Sequence, residues 1–118
     1  GEGEGENTEQ QGEGLEEEGK EKEAYALWDK MADTGDASSI WVTGASYQER
    51  NADIEDRIKA ATYYKIYIDS MGQEHDNGHY KYSLEDYTTL AKEFPPAQKA
   101  QVAKAAADFI ATHTVREL

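Results

Sequence analysis

The chain has 118 residues and a formal net charge of −13, with no cysteine and only three arginines. Lack of cysteine excludes disulfides, zinc–thiolate sites and thiol catalysis within it. The acidic balance leaves direct nucleic-acid binding without an electrostatic basis, and no apolar run approaches the ~18 residues of a membrane span.

The charge is unevenly placed. Residues 1–23, GEGEGENTEQQGEGLEEEGKEKE, hold ten Glu against Lys20 and Lys22. Their net of −8 leaves −5 for residues 24–118. A stretch whose only aliphatic residue is Leu15 cannot bury enough apolar surface to offset its ordering entropy. Residues 1–23 are therefore expected to be a disordered acidic leader, and 24–118 a folded helical domain. The chain starts on Gly rather than Met, which suits a processed or tethered N-terminus. No transmembrane segment is predicted, so the expectation is a soluble protein of unknown compartment.

In EKEAYALWDKMAD, Ala24, Leu27, Trp28 and Met31 fall at helical spacing. Gly35 in TGDASS stops that helix. IWVTG follows as a short run of β-formers, predicted to be a brief strand or an apolar plug. Ser46 with Glu49 reads as a capping box, opening one long helix that ends at Gly72. Its stripe is Ile54, Ile58, Ala61, Tyr64, Ile68 and Met71, which leaves Ile66 outside. A rival reading notes that TYYKIYID and HYKYSL both alternate around a DNG turn. The next helix is placed from Ser83, burying Leu84, Tyr87, Leu90, Ala91 and Phe94. Pro96 opens the last one, which carries Val102, Ala106, Phe109 and Ile110. The sum is a mainly α, small four-helix domain with at most a short β element. The alternative is α+β, with a small antiparallel hairpin around 62–83.

Signals for chemistry are sparse. His75, Asp76 and His79 have metal-ligand side chains, but Asn77-Gly78 breaks any helix between them, and a polar surface turn is the simpler reading. His113, four positions after Phe109, reads as a partly buried, hydrogen-bonded histidine. Two loops invite comparison with the EF-hand. With Asp33 at loop position 1, positions 3, 5 and 12 are Gly35, Ala37 and Gly44; with Gly78 at position 6, positions 1 and 12 are Gln73 and Leu84. Neither loop supplies the ligands, so only a degenerate pair survives, with IWV and YKY pairing across the loops. There is no nucleophile elbow and no phosphate loop. No cofactor is implied and an enzyme is not expected.

Eight Tyr and two Trp remain. Tyr is rigid and amphipathic, and gives contact area at low entropic cost. The expected function is a non-enzymatic protein–protein interaction module. Its contact residues would be Tyr63, Tyr67 and Trp41, with Asp53, Glu55 and Asp56 supplying charge. The partner would be another protein, including one that handles nucleic acid. Two alternatives stand beside it: an acidic nucleic-acid mimic that inhibits a DNA- or RNA-binding protein, and a degenerate EF-hand-like or His-based metal-binding protein. If the leader is only a tether, chains with and without residues 1–23 will bind a partner with similar affinity at physiological salt. A large loss on deletion, measured by titration calorimetry, would make the leader a binding element.

Overall fold

The computed structural model describes residues 21–50, 53–72 and 78–117. Up to position 20 the leader lies outside them. The described residues form five helices: α1 (Glu21–Ala32), α2 (Ala37–Arg50), α3 (Ile54–Met71), α4 (His79–Ala91) and α5 (Pro96–Thr112). Among these residues no strand occurs, and β-type pairing is confined to one isolated bridge between Asp36 and Arg116. The mainly α architecture holds. The hairpin alternative does not, because 62–71 and 79–83 are helical.

The additional helix is the IWVTG segment. Tertiary burial overrides its β-propensity. Ala37, Ser39, Ile40, Val42, Thr43, Gly44, Ser46 and Tyr47 of α2 are all buried, since α1 packs on one side of α2 and α3 on another. A helix enclosed this way has no polar face to give it a period. Ser46 is not a cap either. It sits inside α2, and its Oγ donates to the Thr43 carbonyl at 2.8 Å. The long helix predicted to start there is thus two helices. The true N-cap of the second is Asp53, whose Oδ1 accepts from the Asp56 amide at 3.1 Å.

α3 is the central element, packed against α2, α4 and α5. Ile66, expected outside the stripe, is only 1% exposed, because α3 is covered on more than one side. Ile58, Ala61, Tyr64 and Met71 are buried as predicted, together with Ala60 and Tyr67. α4 begins at His79 rather than Ser83, and its inward row is Tyr80, Ser83, Tyr87 and Leu90, with Phe94 buried just beyond its end. That register turns Leu84 outward, 42% exposed. α5 follows expectation, with Pro96 in its first turn and Val102 and Ala106 buried.

Two glycines fix how the helices meet. A Cβ on Gly44 would lie 3.0 Å from Cδ1 and Cε1 of Tyr64 and 3.3 Å from Cβ of Tyr63. The bare backbone of α2 is therefore what lets α3 approach. Gly35, between α1 and α2, has φ +90°, and a Cβ there would fall 2.1 Å from the Thr114 carbonyl oxygen. The segment after α5 docks on this turn. The Ala37 amide donates to the Arg116 carbonyl at 2.9 Å and the Arg116 amide to the Gly35 carbonyl at 3.0 Å. Arg116 Nη1 adds a bond to the Thr34 carbonyl at 2.9 Å.

Gly35→Ala would meet both left-handed strain and collision with Thr114. It is expected to lower stability by about 2 kcal/mol or more in urea denaturation. Arg116→Ala, which removes exposed hydrogen bonds, should cost about 1 kcal/mol or less. Equal effects would mean that the turn's backbone geometry is not the constraint.

Candidate functional site: an aromatic groove with acidic walls

One side of α3 carries Glu55, Ile58, Lys59, Thr62, Tyr63 and Ile66, positions three and four apart that form a continuous row. It is the floor of a groove of about 460 Å³. Asp29 and Asp33, one turn apart at the end of α1, form one wall together with Tyr47 of α2. Gln101, Ala105 and Phe109, every fourth residue of α5, form the other.

The aromatic rings make a row across the groove. Tyr47 and Tyr63 lie parallel, centroids 6.0 Å apart and planes at 4°. Phe109 meets Tyr63 edge-on at 6.5 Å and 72°. His113 stacks on Phe109 at 3.7 Å. Its Nδ1 lies 2.9 Å from the Phe109 carbonyl, and a carbonyl can only accept, so Nδ1–H is the donor. Its Nε2 faces Asp33 Oδ1 at 3.5 Å. These are the partners that the sequence left unnamed for this histidine.

Charge is arranged around the rings. The Tyr47 hydroxyl donates to Asp29 Oδ2 at 3.0 Å, while Asp29 Oδ1 is enclosed and accepts no hydrogen bond. The Arg50 guanidinium lies between the rings of Tyr25, at 3.7 Å, and Tyr47, at 4.0 Å. Burial pushes the Tyr63 hydroxyl well above the usual tyrosine range, and the Asp29, Tyr47 and Asp33 groups raise it further. The Tyr47 hydroxyl is also raised, by burial and then by Asp29, with Arg50 opposing. Both phenols stay protonated at neutral pH. Among the described residues the Tyr63 hydroxyl has no hydrogen-bond partner.

The structure separates the residues singled out from sequence. Tyr63 and Glu55 line the groove. Tyr67 is 0% exposed and belongs to the core. Trp41 is half-buried and stacks on His79 at 4.2 Å and 10°, with Tyr67 edge-on to the same imidazole at 6.1 Å. Asp53 caps the start of α3, with the Asp56 amide bound to it. His75 and Asp76 lie outside the described residues, and among those described no three His, Cys, Asp or Glu side chains gather as a metal site would require. IWV and YKY are both helical, so they do not pair as strands.

Sequence reasoning missed Asp29, Asp33, Tyr47 and Phe109. The four-residue spacing of Asp29 and Asp33 was visible, but not that α1 would face α5 across α3. No protein-family model matches this chain, and no curated protein or solved structure is significantly similar to it. Among the described residues no helix is long and apolar enough to cross a membrane.

The lowered acidity of the Tyr63 hydroxyl gives stability a pH dependence of defined sign. Its folded value lies above the ordinary 10.0, so above that pH the unfolded chain holds fewer protons than the native one. Stability then falls as pH rises, by at most about 1.4 kcal/mol per pH unit for each such tyrosine. Tyr63→Phe should flatten this alkaline fall in denaturant titrations, with tyrosinate absorbance appearing later in the native protein than in the unfolded chain. An unchanged slope would contradict the buried setting of the hydroxyl.

Proposed function

We propose that this domain is a non-enzymatic protein-interaction module, and that its docking surface is the groove between α1 and α5 over α3. The observation that carries the reading is one groove lined both by the aromatic rings of Tyr47, Tyr63 and Phe109 and by the carboxylates of Asp29, Asp33 and Glu55. Rings held by packing give a partner contact area with little entropy left to lose. Fixed carboxylates steer encounter and select the partner's charge. Phenols kept neutral by burial and by adjacent carboxylates favour recognition over catalysis.

The test begins with affinity capture by the chain, followed by calorimetric titration of the purified partner. Tyr63→Leu and Glu55→Lys are expected to weaken binding about tenfold or more, equivalent to about 1.4 kcal/mol. Tyr82→Ala removes a ring that is 55% exposed on α4 and is not part of the groove, so it should leave affinity unchanged. If Tyr82→Ala abolishes binding while the groove variants, folded by circular dichroism, bind normally, the groove is not the docking surface.

A further inference from the structure

We infer that the groove is a subsite for an arginine side chain of the partner protein, its guanidinium laid against the Tyr63 and Phe109 rings and hydrogen-bonded to Asp33. This assignment rests on the docking surface proposed above and names what that surface recognises.

Four observations converge on a guanidinium. Three carboxylates, Asp29, Asp33 and Glu55, line the groove against a single cation, Lys59. A phosphate or an acidic segment would meet like charge there, and this includes the chain's own Glu-rich residues 1–23. A cation is the complementary guest, and the aromatic rings favour one that is flat and weakly hydrated. Next, acceptors are within reach of a guest. Asp33 Oδ1 faces His113 Nε2 at 3.5 Å, but the Asp33 side chain is 76% exposed, and the Tyr63 hydroxyl has no partner among the described residues. Asp29 Oδ1, enclosed and without a donor, contributes field rather than contact.

The molecule also performs this recognition on itself at the next position along the row. Arg50 lies between the Tyr25 and Tyr47 rings at 3.7 and 4.0 Å, and its Nε and Nη2 are enclosed without a hydrogen-bond acceptor. Ring faces thus hold one guanidinium here in a dry setting, close to the Asp29 carboxylate that acts on Tyr47. Arg50 does not line the groove, and His113 covers one face of the Phe109 ring, so a second cation would lie against the Tyr63 ring and the remaining side of Phe109. Finally, the geometry selects arginine over lysine. A planar guanidinium stacks on a ring while its edge N–H groups reach a carboxylate, whereas an ammonium is a compact, strongly hydrated point charge.

The test uses amide-resolved NMR of the full chain with N-acetyl-arginine amide as the probe. N-acetyl-citrulline amide serves as its neutral isostere and N-acetyl-lysine amide as the other cation. Saturable shifts are expected at Asp33, Tyr63 and Phe109 with the arginine probe. The citrulline probe should bind about tenfold or more weakly, and the lysine probe should fall between them. Asp33→Asn should weaken the arginine probe severalfold. Asp108→Asn, on the exposed side of α5 where Asp108 pairs with Lys104, should not. Absence of groove shifts, or equal binding of arginine and citrulline probes, would overturn the assignment; equal binding of lysine would overturn the choice of guanidinium. A captured partner still lost on Tyr63→Leu would then show that the docking surface stands and only the arginine subsite falls. A partner indifferent to every groove variant would remove the docking surface itself.

Discussion

The closeness of α2 to α3 is the constraint on which the rest of this fold depends. Gly44 offers no side chain, and the Tyr64 ring occupies the space that a Cβ would claim. One turn further along α2, Gln48 Oε1 accepts the Tyr64 hydroxyl. A single face of α2 therefore holds both the ring and the polar tip of one tyrosine. Burial pushes that hydroxyl above its usual range, and the Asp86 carboxylate of α4 beside it adds to the effect. Tyr64 thereby ties α2, α3 and α4 together. Glycine within a helix ordinarily costs about 0.5–1 kcal/mol relative to alanine, and here close packing offsets it. The next residue back, Tyr63, is turned about 100° around the helix and faces the groove. Fold and site share one turn of α3.

Exposed ion pairs add little to this arrangement. Lys104–Asp108 at 2.8 Å is open to water and Lys65–Asp69 at 3.1 Å is half-exposed; such i,i+4 pairs contribute a few tenths of a kcal/mol, about 0.5 at most. Stability resides in three apolar clusters, bridged by Trp41, which packs against all of them, and by Tyr63, which packs against two. Several carboxylates among the described residues do have structural duties: Asp53 as an N-cap, Asp36 as the acceptor for Ser39 Oγ, and Asp29 as the acceptor for the Tyr47 hydroxyl.

What could be read from sequence followed from periodicity and from breakers. α1 and α5 were legible because each has one apolar stripe, and their limits fall near Gly35 and Pro96. The end of α3 at Gly72, with φ +70°, was marked in the same way. α2 was not legible, since its enclosure on several sides left Ile40, Trp41 and Val42 without a polar counter-face. Ser46 imitated a cap because hydroxyl residues also bond back to carbonyls inside helices. Leu84 misled the register of α4, where Ser83 takes the inward position instead. At the site, Tyr63 and Glu55 were legible as an aromatic and an acid on one helix. Asp29, Asp33 and Phe109 reach it from helices distant in sequence, and no local pattern records that adjacency.

The central claim, that the Gly44–Tyr64 contact sets the α2–α3 approach, is best tested by a double-mutant cycle in urea. Gly44→Ala should destabilise the native chain by about 1–3 kcal/mol, as overpacking does. In a Tyr64→Leu background the same change should become neutral or stabilising, because the ring is gone and only helix propensity remains. An equal cost of Gly44→Ala in both backgrounds would contradict the account.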